Sequence, residues 1–430
     1  MIRLATVGTS GYAGYLMDRL WELPNLCRVV AAATLDKADS PSVLNCTKQG
    51  VRVFPNLEAM LTAIDTRQCD AIIVVAGIDS HYNCAAQALA AGFHVLLEKP
   101  PVPTIQELDA LTKLQQRTKR MTAVHFQFLY ADVNQRLKAL LASGTLGALR
   151  RLRASAVWPR PIQYFQRSGW TGRLRTDSSW VLDGTIGNAL AHLLAQQLFL
   201  STAKPGMAAP SSVQAELYRA NEINGDDTSA IRLITEEGVE IICCASLAAA
   251  RQRDVLLEIE TEKAVIRQVD FSETVVRYVD GREELLGKPH PSKAEEDKSV
   301  RRHMLTTILN DLIQEKPQFL DAAACRPYVV ALNAAFDSNG PPKPIAAEFR
   351  HTSVSENLQQ MVIENIERDL EMCFNQRRLF SELGIPWASA SPRFACNGYS
   401  SFPTNPLLQS LEPGQLSAAR RSSAVLTRSS

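Results

Sequence analysis

The sequence predicts a two-part α/β chain: a doubly wound parallel sheet followed by an α+β domain built on an open, mainly antiparallel sheet. Three observations lead there. Over the first 125 residues short apolar runs alternate with stretches of helical period, as successive βαβ units do. From about residue 149 the runs lengthen and alternate apolar with polar residues, broken by turn signals such as Glu236-Glu237-Gly238 and Thr261-Glu262-Lys263. With 430 residues and 46% hydrophobic content, the chain has apolar surface enough for more than one core.

Taken in order, strands are expected at 4–7, 29–33, 71–75, 95–97 and 122–125, with helices at 12–23, 57–63, 81–91 and 105–117 between them. These make a first domain over 1–125. A second, over 126–345, takes strands at 149–157, 213–219, 228–234, 239–245, 255–260 and 264–269, with helices near 187–199, 298–313 and 321–336. Residues 346–390 read as a helical extension, one long helix over about 353–383 closed by Gly384 and Pro386. Residues 391–430 turn rich in Ser, Pro, Asn and Gly and predict a disordered tail. There is no internal repeat.

The 46 basic and 45 acidic residues cancel, which removes the electrostatic reason for a nucleic-acid or anionic-membrane partner and favours a small-molecule one. No apolar run approaches the roughly 18 residues of a membrane span, and a strand-like segment starts at Ile2, so a cytoplasmic location is expected. The nine cysteines are scattered without a C-x-x-C pair and the seven histidines lack zinc-ligand spacing. They predict free buried thiols and no metal site.

The chemistry-bearing motifs begin at the first strand's end. Gly8-Thr9-Ser10-Gly11-Tyr12-Ala13-Gly14 opens the first helix, where a dinucleotide pyrophosphate would meet free backbone N–H groups and the positive helix end. Against the pattern G-x-G-x-x-G it places Gly8, Ser10 and Ala13 at the three glycine positions. Further on come the strand-like run from Asp70, then Ala76-Gly77-Ile78-Asp79-Ser80-His81, a helix ending Ala90-Ala91-Gly92, and His94-Val95-Leu96-Leu97-Glu98-Lys99-Pro100. With Gly144-Thr145-Leu146-Gly147, this order resembles the glucose-fructose oxidoreductase / inositol dehydrogenase / rhizopine-catabolism (Gfo/Idh/MocA) family over residues 1 to about 155.

The resemblance implies a Rossmann domain that binds NAD or NADP, with Glu98, Lys99 and Pro100 beside the nicotinamide and His81 near the cofactor. It also implies hydride transfer to or from a sugar, polyol or related carbon. In the second domain, Leu182-Asp183-Gly184-Thr185-Ile186-Gly187-Asn188-Ala189-Leu190-Ala191-His192 resembles the family's glycine-rich run, with Asn188 where an Asp is usual. By that resemblance Lys99 would hydrogen-bond the reacting hydroxyl, His192 would move its proton, and Asn188 would lie one helical turn from His192. At the end of the second strand, Thr34 and Asp36 are the ribose candidates: Asp36 would favour NAD, whereas Thr34 with Lys37 would tolerate NADP. Ala76, Gly77 and Ile78 replace the family's Thr-Pro-Asn and remove two polar contacts.

Two alternatives remain beside the dehydrogenase. The same fold serves in cofactor-binding regulators without catalytic activity, which Asn188 and the altered glycine motif permit. The opening Gly8-x-Ser10-Gly11-Tyr12-x-Gly14 also looks like N-acetyl-glutamyl-phosphate reductase, but that enzyme needs a mid-chain catalytic cysteine, and Cys243 and Cys244 fall in an alternating strand.

Between Asp132 and Asp177 there is no acidic residue, yet nine basic ones occur, with Trp158, Tyr164, Phe165 and Trp170 interleaved and Trp180 just beyond. The combination suits an anionic sugar, and Arg167, Trp170, Arg173 and Arg175 are the expected binding set. A homo-oligomer through the open face of the second sheet is also expected from the resemblance.

Overall fold

The computed structural model describes residues 1–289, 292–355 and 358–411. The chain packs as two compact units. Residues 1–150, 198–209 and 259–329 form the first; 151–197, 210–258 and 330 onward form the second.

In the first unit a six-stranded sheet has the order β3-β2-β1-β4-β5-β6, from β1 (Ile2–Val7), β2 (Cys27–Ala33), β3 (Arg52–Phe54), β4 (Ala71–Val74), β5 (His94–Leu97) and β6 (Thr122–Val124). Every pairing is parallel. Strand β4, Ala-Ile-Ile-Val, is buried at all its positions. Helices cover both faces of such a sheet, so its inner strands read as unbroken apolar runs rather than as alternation. The sequence reading missed β3, whose three residues are too few to show a period. Strand order reverses between β1 and β4, and the loops leaving these strands define the switch point at which α/β sheets bind ligands.

The first unit also holds the antiparallel pairs β12 (Ala264–Val269) with β13 (Glu273–Tyr278) and β13 with β14 (Glu283–Gly287). The last two were not expected, because their outward residues are largely charged. The helix Lys293–Ile313 starts five residues before the expected position, where the Ser292 hydroxyl accepts from the Glu295 N–H at 3.2 Å.

In the second unit β10 (Glu240–Ser246) lies parallel to β7 (Leu149–Val157) and antiparallel to β9 (Thr228–Thr235), which pairs antiparallel with β8 (Pro210–Arg219). Strand β11 (Arg253–Thr261) carries the chain back from the second unit to the first. The sheet is therefore mixed but mostly antiparallel.

Two expectations for the C-terminal part are corrected. Residues 353–383 are not one long helix. β15 (Lys343–Pro344) joins β8, and then β16 (Arg350–Ser355) and β17 (Leu358–Ile363) pair antiparallel. The helix proper is Ile366–Gln376, entered through Asn365 in the left-handed region (φ 59°). The His-Thr-Ser-Val-Ser run of β16 carries β-branched and hydroxyl residues that favour a strand over a helix.

Residues 391–411 are not a loose tail either. β18 (Phe394–Ala395) pairs with β8, and the Asp337 carboxylate accepts from the backbone N–H groups of Thr404 and Asn405 at 2.9–3.0 Å. Composition overlooked this anchor because the ordering groups lie elsewhere in the chain. The expected disorder of the last fifteen residues falls outside the described part.

Ile366, Leu370, Cys373, Leu379 and Phe380 pack with Val157, Tyr218, Ala230 and Cys244 in one buried cluster. The chain's own C-terminal segment thus covers a stretch of sheet that the oligomer expectation took to be open. All nine cysteines are free, and burial pushes the Cys27 and Cys84 thiols up to about 11.

Phe380 is fully buried with its ring 4.9 Å from Trp387 and 6.1 Å from Tyr218. Phe380→Ala is expected to lower unfolding stability by about 3–5 kcal/mol, read as a shift in the denaturant midpoint; an unchanged midpoint would show that the extension is not part of this core.

Candidate functional site

The nucleotide half of the site lies in the first unit and is built from the end of β1. Gly8 has φ 105°, and a Cβ there would stand 2.8 Å from the Val75 carbonyl oxygen. A Cβ on Gly14 would stand 2.9 Å from the Thr9 carbonyl oxygen. These two glycines let the turn close tightly between β1 and the loop after β4, while Ala13, buried against Gly8, takes the third glycine place without clash. Gly11 (φ 57°) precedes the helix Tyr12–Trp21 and supplies no side-chain cap. The N–H groups of Thr9, Ser10 and Gly11 make no hydrogen bond among the described residues. Three donors at a positive helix end are the equipment for a pyrophosphate.

Asp36 stands over this turn, three residues past β2. Its Oδ2 accepts from the hydroxyls of Thr9 (2.7 Å) and Ser42 (3.2 Å), its Oδ1 from Ser10 (3.2 Å), and its own N–H donates to Thr34 Oγ1 at 3.1 Å. The Thr9 hydrogen bond above all, with those from Ser10, Thr34 and Ser42, holds the Asp36 carboxyl below the usual carboxylate range. Since each carboxylate oxygen accepts about two hydrogen bonds, Oδ1 keeps one direction free for a ribose hydroxyl. Thr34 is spent on orienting Asp36 and Thr9, so the two ribose candidates act in series. A cavity of about 480 Å³ opens beside them, lined among others by Gly11, Tyr15, Asp36, Ser40 and Asn45.

The Glu98-Lys99-Pro100 loop follows β5 and rests on a buried network. Glu98 Oε1 accepts from His125 Nδ1 at 2.9 Å, and Oε2 accepts from the Lys99 N–H at 3.2 Å. Burial alone would push the Glu98 carboxyl up, but the hydrogen bond and charge of His125, followed by Arg301 and Lys99, hold it below its ordinary value. Arg301, from the helix Lys293–Ile313, donates to the Tyr12 hydroxyl at 2.5 Å and to Asp297 at 3.0 Å; Asp297 also accepts from Tyr15 at 2.9 Å. Burial and then the nearby Glu98 charge push the Tyr12 phenol up. Tyr12 and Glu98 thus share one network with Arg301 in the first unit. Lys99 itself is half-buried.

His81 lies between the loops that leave β4 and β5. It is buried, with Nδ1 2.8 Å from the Pro100 carbonyl oxygen and Nε2 3.2 Å from that of Ala76. Burial pushes its pKa down, against the hydrogen bonds to Pro100 and Ala76 that favour the charged ring. With both nitrogens facing backbone, His81 braces the loops that leave β4 and β5. Arg301, His125 and Tyr15 were missed by sequence reasoning, since no local motif marks them.

In the second unit the glycine-rich run folds otherwise than as one regular helix. Thr185–Ala189 forms a π-helical turn, Leu190 interrupts it, and an α-helix runs over Ala191–Leu200. Asn188 and His192 thus sit on different elements rather than a single α-helical turn apart. Only glycine fits this path: a Cβ at Gly187 would stand 1.8 Å from the Leu182 carbonyl oxygen, and one at Gly184 2.0 Å from Asp226 Oδ1. Asn188 donates to Asp183 Oδ1 at 2.8 Å, and Asp183 Oδ2 accepts from the Gly172 N–H. Both Asn188 and His192 are buried. Beneath the run, Asp226 accepts from the Thr185 N–H and hydroxyl through Oδ2, while Oδ1 has no partner among the described residues. Burial pushes the Asp226 carboxyl up to about 7.

Of the expected anion-binding set, Arg167 is exposed, Trp170 and Arg173 are half-buried, and Arg175 donates to the Leu411 carbonyl at 3.3 Å.

Against known families, residues 2–126 match the description "Oxidoreductase family, NAD-binding Rossmann fold" and residues 134–267 match "GFO/IDH/MocA C-terminal domain". The chain belongs to the Gfo/Idh/MocA family of NAD-binding oxidoreductases. Among its relatives are oxidoreductase sll0816 of Synechocystis sp. (25% identical; 53% of this chain, 61% of the relative) and the inositol 2-dehydrogenase of Pseudomonas fluorescens (27%; 34% and 43%). A third is the D-glucoside 3-dehydrogenase of Escherichia coli (29%; 34% and 41%). The matches span between two fifths and three fifths of these relatives' length. Among solved structures, the fold is shared with the WlbA dehydrogenase of Bordetella pertussis in complex with NADH and UDP-GlcNAcA (TM-score 0.64, 20% identical; 78% of this chain, 95% of that one). It is also shared with GenD2 from gentamicin A biosynthesis in complex with NAD (0.64, 18%; 78% and 93%).

Two outcomes are expected. Asp36→Asn removes the charged acceptor and should weaken NAD binding about tenfold while narrowing the gap to NADP, as calorimetry with both nucleotides will show; unchanged discrimination would take the ribose role from Asp36. Asp226→Asn removes a group whose folded pKa is raised. The wild type loses stability as pH rises from the unfolded value near 4 to about 7, because the unfolded chain releases that proton first. Denaturant midpoints on either side of that window should therefore converge in the variant.

Proposed function

We propose that this chain is an NAD-dependent dehydrogenase acting on a hydroxyl-bearing carbon of a sugar, polyol or related compound. The observation that carries the reading is the nucleotide half of the site: three unpaired N–H donors at a helix end with an ionised Asp36 held over them by hydroxyls. Relatives named as inositol and glucoside dehydrogenases support the substrate class. NAD supplies the hydride acceptor, which removes the need for any redox group in the chain itself.

The remaining steps fall to side chains. Following the family resemblance, Lys99 donates a hydrogen bond to the reacting oxygen and polarises it, and His192 takes the hydroxyl proton as the carbonyl forms; reduction runs the same transfers backwards. Asn188 carries no charge, but its amide is tied to the carboxyl of Asp183, five residues earlier. Asn188 is read as a positioning residue. A second reading, a cofactor-binding regulator without turnover, is favoured by the uncharged Asn188 alone.

Lys99→Ala and His192→Ala should each lower kcat by about 10²-fold or more with NAD affinity nearly unchanged, measured by steady-state NADH formation with polyols and sugars and by calorimetry. Tight NAD binding without turnover of any such compound by the wild type would favour the regulator.

A further inference from the structure

Several arginines of the second unit meet an acid: Arg153 pairs with Glu258, Arg232 with Glu382 at 2.6 Å, and Arg350 with Glu222 at 3.4 Å. Arg160 and Arg167 do not pair with a carboxylate among the described residues. Instead they alternate with aromatic rings. The Arg160 guanidinium lies 5.8 Å from the Trp158 ring centre and 5.1 Å from that of Tyr164; the Arg167 guanidinium lies 3.6 Å from Tyr164 and 5.3 Å from Trp170.

Local structure builds this stack. Strand β7 ends at Val157, and a short 3-10 turn over Ile162–Gln166 follows. Tyr164 lies in this turn and Arg167 caps it three residues on, the spacing at which side chains of a 3-10 turn eclipse; Trp170 follows in the loop beyond. The entry to the turn is pinned by a bridge between Pro161 and Gln360, whose amide donates to the Ala250 carbonyl at 2.9 Å.

A guanidinium stacked face-on against a ring keeps its donors in the plane, pointing away from the stack. Arg167 spends one of its five N–H groups on the Tyr164 carbonyl at 2.8 Å. Arg160 spends one on the Pro159 carbonyl at 3.4 Å, while its Nε and the Trp158 Nε1 are buried without an acceptor. Buried donors without acceptors are rare, because water has been lost and nothing replaces it. The cluster therefore combines fixed positive charge, unspent planar donors and half-exposed aromatic faces, in a segment that has no acidic residue from 133 to 176.

We propose that the stack of Trp158, Arg160, Tyr164, Arg167 and Trp170 is a substrate subsite for a sugar bearing an acid group, with the guanidinium edges taking the carboxylate or phosphate and an aromatic face taking the ring. The proposal rests on the sugar-dehydrogenase reading above and names its substrate class. Arg175 stands apart from the stack, its guanidinium 5.5 Å from the Trp180 ring and bonded to Leu411.

The test is equilibrium binding, which needs no turnover: calorimetry of the NAD-saturated full chain with glucuronate, glucose 6-phosphate and glucose. One of the two acids should bind more tightly than glucose, and which one does so distinguishes carboxylate from phosphate. Arg167→Ala and Arg160→Ala should each weaken that acid about tenfold or more and leave glucose unchanged, with Arg167→Lys intermediate because it keeps the charge and loses the fork. Unfolding midpoints equal to the wild type's establish that these variants fold. Glucose binding as tightly as both acids, no binding of either acid at millimolar concentration, or acid affinity unchanged in both alanine variants would each overturn the subsite. Arginine-dependent acid binding by a protein that turns over no polyol or sugar, the bound acid included, would uphold the subsite and overturn the dehydrogenase reading instead.

Discussion

A carboxylate taken out of water beside a nucleotide turn must be matched by donors, or it takes up a proton and changes the electrostatics around it. Glu98 is matched from two sides, by His125 at 2.9 Å and by the Lys99 N–H at 3.2 Å, with the Arg301 charge behind them. Removing one partner of such a buried pair typically costs about 3–5 kcal/mol, because the charge left behind is uncompensated. The network fixes more than one residue. Through Arg301 and Tyr12 it ties the helix Lys293–Ile313 to the turn after β1, and through His125 it ties the end of β6 to the loop after β5. Lys99 inherits its place from these constraints, and His81 completes them by bonding the carbonyl of Pro100.

The order of control runs from backbone to charge. Gly8 and Gly14 allow the turn to close, the closed turn presents the Thr9 and Ser10 hydroxyls, and these keep Asp36 ionised. A side chain at Gly8 would therefore disturb the turn and, through it, the hydroxyls that hold Asp36. In the second unit glycines again permit the geometry: at Gly184 and Gly187 the chain passes too close to its neighbours for any side chain, and in the π-helical turn between and beyond them Asn188 bonds Asp183.

Much of the first unit was legible because buried parallel strands and amphipathic helices write their periods into sequence, and the glycine turn and Glu98-Lys99-Pro100 are contiguous. Residues that act across long sequence separations left no such trace. Arg301 is 289 positions from Tyr12, and nothing around it in the sequence sets it apart from other helix arginines. Short or edge elements such as β3 and β14 carry too few residues for periodicity. The 353–383 segment misled because apolar spacing in its second half was extended backwards over a hydroxyl-rich strand pair. Composition suggested disorder for 391–411, where Asp337 supplies the anchors. The arginine-rich segment was visible as composition, but its stacking order and the separate role of Arg175 required coordinates.

The discontinuity of the first unit has a consequence for biosynthesis. Its opening strand and nucleotide turn leave the ribosome well before Arg301, which bonds Tyr12 from 289 residues further on. At about 5–20 residues per second, some 15–60 s of elongation separate the two. From the emergence of Glu98 until that of Arg301, the nascent sheet carries Glu98 and Tyr12 without the arginine that compensates them, while the intervening strands of the second unit are already emerging. The nascent chain must remain soluble with its nucleotide-binding domain incomplete, so its yield in the cell depends on elongation rate and chaperone capture as well as on the stability of the finished fold.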